Sequence, residues 1–242
     1  MKIVKFSLII MMLVAGIFIS CEKDDPGEIP GEIPGMGNAG GELEVLEPFV
    51  LPEGISIVGE ITGINGTQGT LDGGISPYME SSVKAKYDKE ITRGSGDNDV
   101  VLDFVIENST SVTKEFFLPR GCVFKCLSEG RQNGLSCQKI LIRVLAGIRL
   151  KLRLHCHCLN KGIPGSSLET EYEIMGVSSS KRITKLVEKL ESKKIDISDF
   201  SPEEKGKYKE ISTRIKKIVH SITNGSGVKD SDWKYIKSLK ER

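Results

Sequence analysis

The chain has 242 residues, a formal net charge of +1 at pH 7 and 38% hydrophobic residues, enough to build one large domain or two small ones. Near-neutral charge, with no basic motif interrupted by stacking aromatics, argues against a nucleic-acid partner.

The first 20 residues have the organisation of an export signal peptide. Lys2 and Lys5 form a short positive start, and Leu8 to Ile19 is an apolar run shorter than the about 20 residues of a membrane span. Phe18-Ile19-Ser20-Cys21 then sets a small residue directly before a cysteine. This order resembles the lipobox of bacterial lipoproteins, with Phe18 where that pattern usually has Leu. The resemblance implies cleavage after Ser20 and attachment of lipid, palmitate included, to Cys21, where several acyl chains make the anchoring stable. The charged stretch Glu22-Lys23-Asp24-Asp25 resembles the export signal of Bacteroidota surface lipoproteins. It implies that Lys23, Asp24 and Asp25 direct the chain to the outer leaflet of the outer membrane, facing the exterior.

Removal of residues 1–20 leaves 222 residues and, with Lys2 and Lys5 gone, a formal charge of −1. Residues 21–119 hold 19 acidic and 6 basic side chains, 120–160 hold 1 and 8, and 178–242 hold 10 and 17. The folded molecule is therefore expected to be electrically polar, with its scattered C-terminal lysines keeping exposed helix faces wet.

Residues 21–52 are rich in Pro, Gly and Glu and contain the tandem repeat Gly27-Glu28-Ile29-Pro30, Gly31-Glu32-Ile33-Pro34. Such composition predicts a disordered acidic tether that lets the folded part stand clear of the membrane. Residues 53–177 read as short strands: Ile55 to Ile61, Val100 to Glu107 with Val100, Leu102, Phe104 and Ile106 on one face, and Lys139 to Val144. With Gly and Asn/Asp clusters between them, they predict an antiparallel β-sandwich or barrel. The clearest strand is Arg149 to Cys158. Leu150, Leu152, Leu154, Cys156 and Cys158 share one face, and Arg149, Lys151, Arg153, His155 and His157 form a basic stripe on the other.

Residues 178–242 switch to a helical period and predict a small helical unit packed on the sheet, α+β overall. Ile183, Leu186, Val187 and Leu190 make one helical face. Ser201-Pro202-Glu203-Glu204 fits a capping box, Ile211, Ile215, Ile218 and Ile222 form the next buried stripe, and Asn224-Gly225 stops it. A third, short helix begins near Asp230 and carries Trp233, Tyr235 and Ile236.

Cys122, Cys126, Cys137, Cys156 and Cys158, with His155 and His157 interleaved, are the constellation that could carry chemistry. Cys and His together suit zinc. Strand alternation, however, sends His155 and His157 to one face and Cys156 and Cys158 to the other, so no metal site is expected. In an oxidising compartment, one or two disulfides among the five cysteines are expected, with buried free thiols as the alternative. Asp97-Asn98-Asp99, and Asn224 to Gly227 with Asp230 and Asp232, lack the full calcium-loop pattern and suit turns and caps. No serine sits in an elbow motif, so neither a Ser-His-Asp set nor any cofactor is expected.

A wider resemblance rests on Val101 to Asn108, Leu118 to Phe124, Gln132-Asn133-Gly134-Leu135 and Cys158-Leu159-Asn160. These segments resemble an uncharacterised β-sandwich module of bacterial surface proteins, distantly similar to thioester adhesin domains, over roughly residues 53–242. In thioester domains a cysteine and a glutamine form an internal thioester that captures amines. Here Cys158 stands at the cysteine and Ile218-Val219-His220 near the helical motif, while Lys216 stands at the glutamine. A lysine offers no carboxamide to a thiolate, so the reactive bond cannot form by that route. The reading that follows is a non-enzymatic surface binding or adhesion module. It would take an unknown protein or glycan ligand through its loops or basic stripe. A covalent adhesin and a zinc-dependent enzyme or zinc-binding protein are the alternatives.

Overall fold

The computed structural model describes residues 27–64 and 87–242. Cys21, Lys23, Asp24 and Asp25, which carry the anchor and export expectations, lie outside the described residues. Among the described residues the strands are β1 (Val45–Pro48), β2 (Ile55–Ile64), β3 (Lys89–Gly94), β4 (Val100–Asn108), β5 (Lys114–Leu118), β6 (Cys122–Cys126), β7 (Gly134–Ser136), β8 (Ile140–Val144), β9 (Arg149–Cys158) and β10 (Glu171–Ser178). The helices are α1 (Lys181–Leu190), α2 (Lys205–Thr223) and α3 (Asp230–Ser238).

The molecule is mainly β, and of the two architectures expected it adopts the barrel. Strands β2, β4, β9, β7, β6 and β10 follow one another around a ring of antiparallel pairs, and β10 closes it by pairing with both β2 and β6. β1 runs along β10, β3 lies parallel to β9, and β5 and β8 form a separate two-stranded ribbon. Closure needs strands that bend. β2 shifts register on β4 between Val58 and Thr62, and β10 shifts on β6 between Ile174 and Gly176. Gly176 has φ +134, and a Cβ there would meet the Glu47 carbonyl at 2.0 Å. Only glycine lets β1 lie against β10 at that point.

Alternation along the strands divides the apolar residues between two cores. Val100, Leu102, Phe104 and Ile106 of β4, Leu150, Leu152, Leu154, Cys156 and Cys158 of β9, and Cys122, Phe124 and Cys126 of β6 fill the barrel. Val123 of β6, Leu135 of β7, Cys137 and Leu159 belong to a second core, shared with Ile183, Leu186, Val187 and Leu190 of α1 and Ile211, Ile215, Ile218 and Ile222 of α2. The helices thus bury the stripes their period predicts. Ser180 caps α1 by accepting from the Ile183 amide, and the Gln138 amide donates to the carbonyls of Leu190, Glu191 and Lys193 at the other end. The Ser201 capping box sits on a single 3₁₀ turn, Pro202–Glu204, ahead of α2, where the Ser201 amide donates to Glu204 Oε2 at 3.3 Å.

The expected tether is corrected for most of its length. Residues 27–51 form an ordered arm between the barrel and the helices, with Ile33, Met36 and Leu43 buried in the second core. Composition alone misleads here, because three apolar side chains suffice when the groove that receives them is already built. Gly37, at φ +60, sits where a Cβ would meet the Thr223 carbonyl at 1.8 Å. Its amide donates to the Leu159 carbonyl, and Asn160 Nδ2 donates to the carbonyls of Gly35 and Gly37. The arm's own polar backbone is thereby satisfied.

The expected disulfides are also corrected. Cys122, Cys126, Cys137, Cys156 and Cys158 are all free and buried. They act as small apolar core residues, and burial pushes the thiols of Cys122 and Cys137 up to about 12.

Candidate functional site

Among the described residues a group of ionisable side chains lies where the C-terminal end of β9 meets α2 and the loop from β3 to β4. β9 delivers His155, His157 and Cys158, α2 delivers Lys216 and His220, and the loop delivers Ser95, Asp97 and Asp99. The loop is fixed on three sides. The Gly94 amide donates to Asp196 Oδ2 at 3.0 Å, the Gly96 amide donates to the His155 carbonyl at 3.0 Å, and the Tyr208 hydroxyl donates to the Gly96 carbonyl. Within it, Asp97 Oδ1 accepts from the Asp99 amide at 3.0 Å, the turn role expected of Asp97-Asn98-Asp99.

Lys216 and His220 are one helical turn apart, so both face this loop. Lys216 Nζ pairs with Asp97 Oδ2 and, at 2.8 Å, with Asp99 Oδ2. Burial works against the ammonium, but hydrogen bonds to Asp97 and Asp99 outweigh it and hold the lysine above its usual range. Cys158 Sγ lies 2.7 Å from His220 Nε2 and 3.9 Å from Asp99 Oδ2. Burial, then the charges of Asp99 and Asp97, push the Cys158 thiol well up, while burial and then the Lys216 charge push His220 down. Cys158 is therefore held as a thiol beside His220 and Asp99.

His155 and His157 face outward, away from the barrel interior that Cys156 and Cys158 line, as alternation predicts. Burial depresses His155 to about 4 and His157 to about 3. His157 Nε2 is 3.2 Å from Ser95 Oγ, and its Nδ1 is buried with no partner. Among the described residues no group of three or more His, Cys, Asp or Glu side chains is arranged to hold a metal ion.

The remaining members of the basic stripe are not an open surface. Lys151 is 1% exposed; its ammonium is 3.0 Å from Asp103 Oδ2 and 3.6 Å from Glu90. Arg153 grips Asp103 with two hydrogen bonds of 2.9 and 2.8 Å, and Arg149 donates to Glu107 at 2.8 Å. Burial and pairing thus engage Lys151 and Arg153, while the Arg149 side chain stays 40% exposed. On the ribbon, Phe117 and Leu141 are cross-strand partners, 48% and 44% exposed, and the Lys139 ammonium sits over the Phe117 ring at 3.7 Å.

Sequence reasoning found Cys158 and Lys216 but missed that Cys158 pairs with His220 and that Lys216 pairs with Asp97 and Asp99. The spacing of Lys216 and His220 marks a shared helical face. What stands opposite that face is set by a loop more than a hundred residues earlier. The chain matches no family model, no curated protein and no solved structure. Among the described residues no helix is long and apolar enough to cross a membrane.

Proposed function

We propose that the chain is a surface-displayed lipoprotein, held by lipid on Cys21 in the outer membrane and facing the exterior, whose folded body is a non-enzymatic binding or adhesion module. The observation that carries the non-enzymatic part is the state of the Cys158 site. A cysteine beside a histidine is a common arrangement for a nucleophile, which needs the thiolate. Here Cys158 is fully buried and its thiol is held protonated, so the contact with His220 supports packing rather than attack. Lys216, at the position a thioester needs glutamine, is engaged with two aspartates. This disfavours a covalent adhesin, and the outward turn of His155 and His157 disfavours the zinc reading. The exposed pair Phe117 and Leu141 and the barrel-end loops are the surfaces left for a protein or glycan ligand.

Two measurements test this reading. Intact mass of the native protein, before and after methylamine, is expected to show neither the loss of one ammonia nor the later gain that a thioester gives. Iodoacetamide is expected to leave Cys158 unmodified in the native protein and to mark all five body cysteines in denaturant. Rapid native alkylation of Cys158 would overturn the non-enzymatic reading. For the anchor, Cys21→Ala is expected to abolish labelling by a palmitate analogue together with membrane retention, and retained labelling would sink it.

A further inference from the structure

The chain has 3 histidines, and the fold brings all of them to one place. His155 and His157 of β9 and His220 of α2 meet around the loop Ser95 to Asp99, between the end of β3 and the start of β4. Lys216 Nζ grips Asp97 and Asp99 of this loop, Ser95 Oγ lies 3.2 Å from His157 Nε2, and the Asp97 carbonyl lies 3.4 Å from His155 Nδ1. Asp99, with His220, also covers the buried thiol of Cys158.

The closed loop suits neutral imidazoles. An imidazolium carries two N–H donors. The loop meets His157 with one hydroxyl, that of Ser95, and leaves Nδ1 buried with no partner. A second proton on that ring is a buried charge with an unmet donor.

The charges that face the rings do not relieve this. The Lys216 ammonium opposes a charge on both His157 and His220, Lys161 opposes one on His220, and Arg153 opposes one on His155. Asp97 and Asp99, on the side of His220 and His157, act the other way, as do Asp103 and Asp196 on the side of His155. Each of these carboxylates is already engaged. Lys216 holds Asp97 and Asp99, Lys151 and Arg153 hold Asp103, and Asp196 accepts from the Gly94 amide beside Arg93 and Arg242. Burial therefore dominates and keeps all three rings below their ordinary value.

The ends of the loop are pinned independently of the histidines. The Gly94 amide donates to Asp196 Oδ2 at 3.0 Å, and the Asp99 carbonyl accepts from the Ser166 amide at 2.8 Å. Between these pins, lifting breaks the two bonds of Gly96, to the His155 carbonyl and the Tyr208 hydroxyl, which keep the loop shut at neutral pH.

We infer that the loop Ser95 to Asp99 is an acid-released lid: protonation of the histidines lifts it from β9 and α2 and uncovers the thiol of Cys158. Once lifted, an imidazole returns to its ordinary value near 6.5, so at about pH 5 opening gains up to about thirtyfold for each histidine freed. This is a local motion, with both cores still packed, and it does not rest on where the chain is displayed.

The test reads the lid, the thiol and the core separately in the full chain. Hydrogen exchange over residues 94–99 and modification of Cys158 by a dithiodipyridine, which reacts with thiols in acid, are followed at about pH 7.5 and about pH 5. Both rates are expressed relative to the denatured protein at the same pH. Protection of the loop and of Cys158 is expected to fall by about tenfold or more at the lower pH, while Cys122 in the barrel core stays protected. His157→Gln, whose side chain takes no proton, is expected to lose about tenfold or more of this acid gain. The gain is a ratio within each variant, so a less stable variant still reports it. Protection that does not change with pH would overturn the lid, as would Cys122 losing protection in step with Cys158. An acid gain left intact in both His155→Gln and His157→Gln would overturn the histidine trigger.

Discussion

On the outer face of β9, Arg149, Lys151 and Arg153 occupy the first half and His155 and His157 the second. The first half keeps its charge and meets it with acids from the neighbouring strands: Glu90 of β3 and Asp103 and Glu107 of β4. The second half gives up its charge, because burial under α2 and the β3–β4 loop holds both imidazoles neutral. The difference follows from intrinsic acidity. A histidine, whose ordinary value is about 6.5, sheds its proton near neutral pH at almost no cost, whereas an arginine or lysine must carry its counter-ion with it. A run of five basic residues in a sequence therefore says little about surface charge until their neighbours are known.

The comparison breaks most severely at Asp103. Asp103→Ala leaves Lys151 and Arg153 largely uncompensated beneath β3, and is expected to cost about 3–5 kcal/mol in urea unfolding. Replacing all three together, as Asp103→Leu/Lys151→Met/Arg153→Leu, is expected to recover most of that loss. A single Asp103→Ala costing under about 1 kcal/mol would mean that water reaches these cations.

Acid tests the other half. Both histidines have folded-state values below the usual 6.5, about 4 for His155 and about 3 for His157. The unfolded chain therefore takes up protons first. Stability is expected to be full above about pH 6.5 and to fall below it, by roughly 1.4 kcal/mol per pH unit for each histidine, until the folded values are reached. His157→Gln is expected to remove one histidine's share, roughly 1.4 kcal/mol per pH unit, of a slope to which His220 also contributes between pH 6 and pH 5. A slope that the substitution leaves unchanged would place the titration elsewhere.

The smallest effect is expected at the start of the strand. The Arg149 and Glu107 side chains are 40% and 32% exposed, so their 2.8 Å pair is screened by solvent. Arg149→Ala is expected to cost less than about 1 kcal/mol and to lose even that in high salt. A larger, salt-independent cost would extend the buried network of Asp103 to the whole first half.

The fold was legible where a local period recorded burial. Alternation in Arg149 to Cys158 placed Cys156 and Cys158 inside the barrel and His155 and His157 outside it. The spacing of Ile211, Ile215, Ile218 and Ile222 marked the buried face of α2. It was not legible where a segment borrows its structure from elsewhere. The glycine and proline repeat reads as a tether, and it is ordered because Leu159, Asn160 and Thr223 supply hydrogen-bond partners and Ile33, Met36 and Leu43 find a prepared core. The cysteines read as disulfide candidates, and they remain thiols because the barrel interior and the second core bury them as small apolar residues.

By itself the sequence determined the mainly β body, the three C-terminal helices and the two faces of β9, since each depends on side-chain spacing within one element. Closure of the barrel, the packing of residues 27–51, the pairing of Lys151 and Arg153 with Asp103, and the meeting of Cys158 with His220 and of Lys216 with Asp97 and Asp99 were decided by tertiary structure. They join groups tens of residues or more apart, and burial and charge at such meetings depend on what lies opposite, which no local pattern records.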